Sequence, residues 1–430
     1  MGDFLAEIAA CDFSPHSVRQ AAEKLTANCT AHGRSRDFSI TEAAQMLDKN
    51  CAALPEGAVK RILSLLLLDC VLYKKESLAK AVEKILQSQK TPALHCETNA
   101  EDLVLTELWT ELEAAGAKDE DRAFVFESLC LSNGIAWYAC DTARDYIKTA
   151  DILTALNLEA IRGETGAFDD RLSSIARPYK GQIDCAANVR ALLCGSEMVT
   201  EDGRTAFGYD QHPRVQDAIC VRATPQTHGA VRDFLYFAYD SLLHSVANGG
   251  AYNYDVEYSL DALETALSDL ANICERRAFR LNDTRLSYGL SMNLTLGDAG
   301  INHGFPVVQS NQAALLSELK LLCLPSAVVK RPGECAAYYA AAKMTRALPL
   351  LCKIMAIELL MTCQAMDIVK TKLPSRSFGK GTTAVHAKVR ESISVMTKNR
   401  FVSPDMNEAA RLIATGMVLC AAQSAAGALL

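Results

Sequence analysis

Residues 336–366 read AAYYAAAKMTRALPLLCKIMAIELLMTCQAM, an apolar stretch whose hydrophobic positions recur at three- and four-residue spacing. That period is helical, and its length exceeds an ordinary globular helix, so the stretch needs partners along its whole extent. The same spacing recurs at 57–72, 78–88, 101–115, 225–248, 259–281, 308–322 and 383–397, while strand signals are nearly absent. These patterns predict an all-α, long-helix bundle. Turn chemistry falls at 195–213, 248–255, 283–305, 325–333 and 372–381, and sites on bundles commonly sit where such loops cross helix ends.

Composition narrows the function classes. The 430 residues are half apolar and carry 44 basic against 51 acidic side chains, a net charge of −7, with no long basic run. Nucleic acid is therefore excluded as an expected partner. The apolar stretch 62–68 is interrupted by Asp69 and is too short to span a bilayer, and residues 1–11 carry acids where a secretory start is basic. A soluble, cytoplasmic protein without membrane contact is expected. The 16 cysteines are scattered without a C-x-x-C pair, and Leu-Leu-Cys194 and Leu-Leu-Cys323 typify their apolar neighbourhoods, so they read as reduced core thiols. The 8 histidines show no H-x-x-x-H spacing, and no metal site is expected. Three N-x-T sequons, at Asn28, Asn282 and Asn293, read as chance.

Between 154 and 197 the order of residues becomes specific: Leu158-Glu159-Ala160-Ile161-Arg162-Gly163, Ala167-Phe168-Asp169, Gly181-Gln182, then Arg190-Ala191-Leu192-Leu193-Cys194-Gly195-Ser196. This series resembles the histidine and phenylalanine ammonia-lyase family. Val215-Gln216-Asp217 with Val221-Arg222 and Pro225-Gln226 is similar to the family's V-Q-D-x-Y-S-x-R-x-x-P-Q segment, and Glu275-Arg276-Arg277 to its S-E-R-R helix. Glu318-Leu319-Lys320, Pro325, Ile357-Glu358-Leu359, Gln364-Ala365-Met366-Asp367 and Ser403-Pro404-Asp405 keep the register, so the resemblance covers about residues 55 to 420. It implies a cytosolic homotetramer of long helices, each active site lined by three subunits, around a 4-methylideneimidazol-5-one electrophile made from an internal Ala-Ser-Gly. The expected organisation is an N-terminal helical region at 1–130, containing the degenerate electrophile loop, and a central bundle with C-terminal helices at 131–430.

The electrophile's chemistry is restrictive, because the glycine nitrogen must approach the alanine carbonyl closely and the serine must lose its hydroxyl. Aligning the family's G-A-S-G-D-L on Thr98-Asn99-Ala100-Glu101-Asp102-Leu103 puts Ala100 at the serine and Glu101 at the glycine. Ala100 has no hydroxyl to eliminate, Glu101 brings a side chain to a crowded backbone, and no Ala-Ser-Gly occurs elsewhere. The sequence thus predicts that no prosthetic group forms and that no other cofactor is needed. The family's Y-G-V-N-T-G-F-G loop has no counterpart between Cys11 and Leu54, Ile219 and Cys220 replace the tyrosine and serine of the V-Q-D segment, and N-Q-E-D-H becomes Ala336-Ala337-Tyr338-Tyr339-Ala340.

Candidate site residues follow from what is kept and what is new. Asn133-Gly134 stands where the family has N-G-T, and Gln216, Arg222 and Gln226 match their counterparts. By resemblance Arg222 is a carboxylate clamp, a role suited to a guanidinium fork. The alternative is that it pairs with an acid such as Asp217 and holds the loop. Asn133 contacts ligand or serves as a buried amide satisfying backbone. Glu101 and Asp102 stand where the electrophile belonged and are candidates for acid or base work, or are simply a favourable helix start with Asn99 or Thr98 as cap. Tyr338 is a candidate catalytic phenol and Tyr254 a candidate binding residue, with Tyr252 and Tyr339 nearby; aromatic packing is the competing role for all four. Lys330 and Glu334 flank a turn and read as solvated.

Three functions follow. One is an enzyme that reuses the lyase pocket, without the electrophile, for elimination, addition or cyclisation on a small amino-acid-like or carboxylate substrate. Another is an inactive subunit that assembles with or regulates an active relative. The last is a structural homo-oligomer whose former site is filled by side chains such as Ile219 and Tyr338.

Overall fold

The computed structural model describes residues 15–19, 53–88, 90–96, 101–209, 214, 216–248, 253–298, 300–330 and 335–430. Cys11, Asn28, Thr98, Asn99, Ala100, Val215, Tyr252 and Glu334, named above, lie outside the described residues, as does most of the segment from Cys11 to Leu54. From residue 53 onward the helices are α1 (Glu56–Leu72), α2 (Glu76–Gln87), α3 (Glu101–Ala115), α4 (Arg122–Glu127), α5 (Cys130–Ile161), α6 (Lys180–Leu192), α7 (Glu201–Phe207) and α8 (Ile219–Arg222). They continue as α9 (Thr224–Asn248), α10 (Tyr254–Leu281), α11 (Pro306–Leu322), α12 (Ser326–Val329), α13 (Ala337–Lys372), α14 (Lys380–Arg390), α15 (Ser403–Ala414) and α16 (Met417–Ala426). Among the described residues extended pairing is limited to an isolated antiparallel bridge of Ala53 with His95. The fold is all-α, as the periodicity predicts.

The terminators act as their chemistry dictates. Thr200 caps α7 by accepting from the Gly203 amide (3.0 Å), Glu201 and Asp202 fill the first turn, and Gly208 ends it at φ 78°. Pro306 opens α11. α13 runs 36 residues through Pro349 and is apolar enough to cross a membrane, yet 89% of its most apolar window is buried inside the protein, so it is a core helix.

Some expectations are corrected. α5, 32 residues long, is missing from the sequence reading, as are α6, α15 and α16. The second half of α5 is buried on every face, so it carries no amphipathic stripe to find. The expected turn 195–213 contains α7, whose cap and stop signals outweigh its weak apolar pattern. The expected helix 383–397 ends at Arg390, whose guanidinium folds back onto the Ile393 carbonyl (3.0 Å). Cys194 is exposed and Cys323 half-buried, because each follows the last turn of a helix and does not lie on its packed face.

Chain contacts divide the protein into two compact units. The first comprises Met1–Thr142, Tyr236–Glu264 and Leu324–Ala347. In it α5 crosses α1 so closely that a Cβ on Gly134 would lie 2.7 Å from the Ile62 backbone, which accounts physically for the glycine of Asn133-Gly134. Lys343 is buried there between Asp261 (3.1 Å), Glu264 (2.8 Å) and the Leu324 carbonyl (2.7 Å).

The second unit comprises Ala143–Leu235, Thr265–Cys323 and Leu348–Leu430. Here α6 and α9 touch at glycines, since a Cβ on Gly181 would stand 2.1 Å from the Gly229 carbonyl oxygen. Arg277 of α10 forks onto Glu358 of α13 at 2.5 and 3.1 Å, with both side chains fully buried. Glu159 accepts from Ser196 (2.7 Å), the Gly379 amide (2.7 Å) and Thr382 (2.9 Å), joining α5 to the start of α14.

Candidate functional site

The second unit holds a cavity of ≈ 430 Å³ built around α8, within the size range of small-molecule sites. Its polar wall consists of Glu164, Asp217, Arg177, Arg222, Gln216 and Gln226, and Ala167, Leu172, Ile219 and Ala223 supply the apolar part. Asp217 is the hub. Its buried carboxylate accepts from Arg214 (2.9 Å) and from the Glu164 amide (2.5 Å). Arg214 in turn donates to the carbonyls of Ile161 (2.8 Å) and Arg162 (2.9 Å) and lies 3.6 Å over the Tyr288 ring. The segment before α8 is thereby tied to the end of α5.

That arrangement corrects one part of the alternative reading of Arg222, its side-chain pairing with Asp217, and leaves a loop-holding contact to the Asp217 main chain. The acid named as its alternative partner is engaged by Arg214, and Arg222 donates to the Asp217 main-chain carbonyl (3.2 Å) with its guanidinium on the cavity wall. The Asp217 pairing is therefore corrected: residue 214 lies close enough to reach the buried carboxylate, whereas α8 carries Arg222 one turn past it. Glu164 is likewise engaged, by Arg204 at 3.1 Å.

Gln216, Arg222 and Gln226, chosen from sequence as binding residues, line this one cavity. Gln216 is exposed and Gln226 half-buried. With its amide assigned by its neighbours, oxygen toward the Arg177 guanidinium, Gln226 donates to the Ala223 carbonyl (3.2 Å). Ile219 does not fill the cavity; it is 67% exposed at its edge. The sequence reading missed Arg177 and Glu164. Arg177 follows a wide π-type turn, Arg171–Ala176, and such turns concentrate at functional sites. No signal in the residue types announces that turn.

The remaining candidates belong to the first unit and do not line this cavity. Glu101 and Asp102 are half-buried in the first turn of α3, where acids suit the helix dipole. Asn133 is buried; its amide donates to Ser245 (3.0 Å) and accepts from Asn253 (2.8 Å), a satisfied side-chain network in place of the backbone contacts expected of a buried amide. Tyr338 is buried with its hydroxyl 3.7 Å from Cys96 Sγ. Tyr254 stacks on Tyr258 and lies beneath Lys330 (4.7 Å). Lys330 is not a solvated turn charge as expected, because it pairs with the buried Glu257 at 2.5 Å. Glu257 also accepts from the Ala336 amide (2.7 Å), capping α13.

Asp151, Cys185 and His228 of the second unit form a buried group with metal-ligand geometry. The Asp151 carboxylate is saturated, however, accepting from His228 (2.8 Å), Asn188 (2.8 Å), Cys185 (3.1 Å) and Arg232. With Arg277 at 3.5 Å from His228 Nε2, two guanidinium charges already occupy the place of a cation. Burial pushes the Asp151 carboxyl up, but Arg232 and the His228 and Asn188 hydrogen bonds outweigh it and hold it at about 2. Burial depresses His228 to about 4 against the opposing pull of Asp151, so the ring is neutral near pH 7.

Comparison with known proteins completes the description. The pattern of the family described as aromatic amino acid lyase matches residues 125–247 and 242–391. Histidine ammonia-lyase from Sorangium cellulosum is 33% identical over 338 residues, covering 70% of this chain and 63% of the relative. The same-named protein from Caldanaerobacter subterraneus is 34% identical over 300 residues, 64% of this chain and 56% of the relative. The chain thus spans less than two thirds of the length of these curated relatives. In fold it is similar to tyrosine aminomutase from Streptomyces globisporus, with TM-score 0.78 at 22% identity over 94% of this chain and 85% of that one. Histidine ammonia-lyase from Trypanosoma cruzi gives TM-score 0.72 at 20% identity over 95% and 83%.

Proposed function

Because this chain belongs to the aromatic amino acid lyase family, we propose that it is a lyase-type enzyme that works without the family's imidazolone electrophile, on a small amino-acid-like or carboxylate substrate. The observation that carries the reading is the ≈ 430 Å³ cavity lined by Arg222, whose neighbouring acids, Asp217 and Glu164, are held by Arg214 and Arg204. A guanidinium with one N–H on a main-chain carbonyl keeps donors for a bidentate carboxylate, and Gln216 and Gln226 supply amides beside it.

The residues at the electrophile position do not fit the ring. Glu101 opens α3 with a side chain where cyclisation requires a bare α-carbon, and Ala100 has no hydroxyl to lose. Proton transfer then falls to side chains, with Glu101, Asp102 and Tyr338 as the acid/base candidates of the first unit and Glu164 as the carboxylate on the cavity wall. The resemblance implies a soluble homotetramer whose sites draw on several subunits.

A second reading is a ligand-binding subunit that does not turn its ligand over. It is favoured by the fact that both acids on the cavity wall are already paired with arginines.

A thermal-shift screen over amino acids and small carboxylates tests the shared premise, because binding to the folded state raises the melting temperature. Stabilisation by a carboxylate that disappears in Arg222→Gln is expected; stabilisation unchanged in that variant refutes the clamp. Product formation from the bound compound then separates enzyme from binder. Intact mass should match the unmodified chain, and histidine, phenylalanine and tyrosine should give no conjugated acrylate. A mass lower by two waters, or acrylate absorbance, refutes the electrophile-free reading.

A further inference from the structure

We propose that the cavity selects a small aliphatic dicarboxylate, with Arg222 holding one carboxylate and Arg177 the other. This rests on the reading of Arg222 as a carboxylate clamp and adds to it a second cation that fixes the substrate class. Both arginines line the same cavity, Arg222 half-buried and Arg177 at its exposed rim. The acids on that wall do not neutralise them, since Glu164 is paired with Arg204 (3.1 Å) and Asp217 with Arg214 (2.9 Å). Arg222 and Arg177 therefore flank the cavity with neither of its wall acids as an ion-pair partner. A monoanion leaves one of them uncompensated, whereas a dianion satisfies both.

Arg177 is held for this role. Its amide closes the wide turn onto the Leu172 carbonyl (3.0 Å) and its own carbonyl accepts from the Tyr179 amide (2.8 Å), fixing the backbone on both sides. One N–H of its guanidinium is spent on Gln226, which is itself anchored to the Ala223 carbonyl. The other donors of the fork remain for a ligand. Leu172, Ala167 and Ala223, the apolar part of the lining, suit the methylene chain of an aliphatic diacid.

Isothermal calorimetry on the full-length protein is the test, with succinate and glutarate compared against butyrate and valerate. Each diacid should bind on the order of tenfold tighter than the monoacid of equal length, the factor expected for one added charge-assisted pair. Arg177→Gln should remove that preference and leave the monoacid affinity in place, while Arg177→Lys, keeping the charge without the fork, should retain part of it. Equal affinities for diacid and monoacid in the unmutated protein overturn the inference and leave the Arg222 reading standing. A preference that survives Arg177→Gln overturns it as well. Absence of binding by all four acids overturns both readings together.

Discussion

Acidification should destabilise this protein through His228, and the size of the effect follows from its surroundings. The ring is fully buried, donates from Nδ1 to Asp151 (2.8 Å) and turns Nε2 toward Arg277 (3.5 Å). A proton on Nε2 would place a third positive charge between Arg232 and Arg277, and burial with these two holds the ring at about 4, below the ordinary 6.5. Between those values the unfolded chain binds a proton that the folded one refuses, so stability falls as pH drops from 6.5 to 4. At about 1.4 kcal/mol per pH unit the loss amounts to roughly 3 kcal/mol by pH 4, of which about 2 kcal/mol is gone by pH 5. Urea unfolding at fixed protein concentration, run from pH 7 to pH 4 on the unmutated protein and on His228→Gln, isolates this contribution from the other groups that titrate there. The variant should start lower at pH 7 and decline less. Parallel declines in the two proteins would refute the assignment.

Other outcomes follow from the packing. Gly181→Ala forces a Cβ to within 2.1 Å of the Gly229 carbonyl oxygen and should cost about 1–3 kcal/mol or more in thermal denaturation, whereas Gly166→Ala, with nothing within 4 Å, should change little. Arg277→Ala strands the fully buried Glu358 and should cost about 3–5 kcal/mol; a loss below about 1 kcal/mol would mean that water reaches the pair. Alkylation at pH 7 followed by mass mapping should modify the exposed Cys194 and Cys420 well before Cys185 and Cys274, whose thiols burial pushes far above their ordinary value. Early labelling of either buried thiol would contradict the packing around Asp151 and Glu358.

The motifs that carried the family resemblance prove to be largely scaffold. Glu159 joins α5 to α14, Arg277 and Glu358 form a buried pair, Gly134 and Gly181 allow helices to touch, and Gln364 bonds the Leu294 (3.3 Å) and Met396 (2.9 Å) carbonyls. Their retention reports the fold, and this is why the fold was readable while the chemistry was not. The candidate site was readable in part. Gln216, Arg222 and Gln226 share one short segment and therefore reach one cavity, but Glu101, Asp102, Asn133, Tyr254 and Tyr338 belong to the other unit.

Helical period, cap residues and the lack of an Ala-Ser-Gly are properties of neighbours along the chain, and the sequence alone determines them. Which arginine meets which acid is a property of neighbours in space. Asp217 is taken by Arg214 and Glu164 by Arg204, so Arg222 and Arg177 line the cavity without either acid as partner. Pairing energies depend on separation and burial, and for groups 40 residues apart such as Glu164 and Arg204 those are fixed by packing, with no trace in the spacing of the residues.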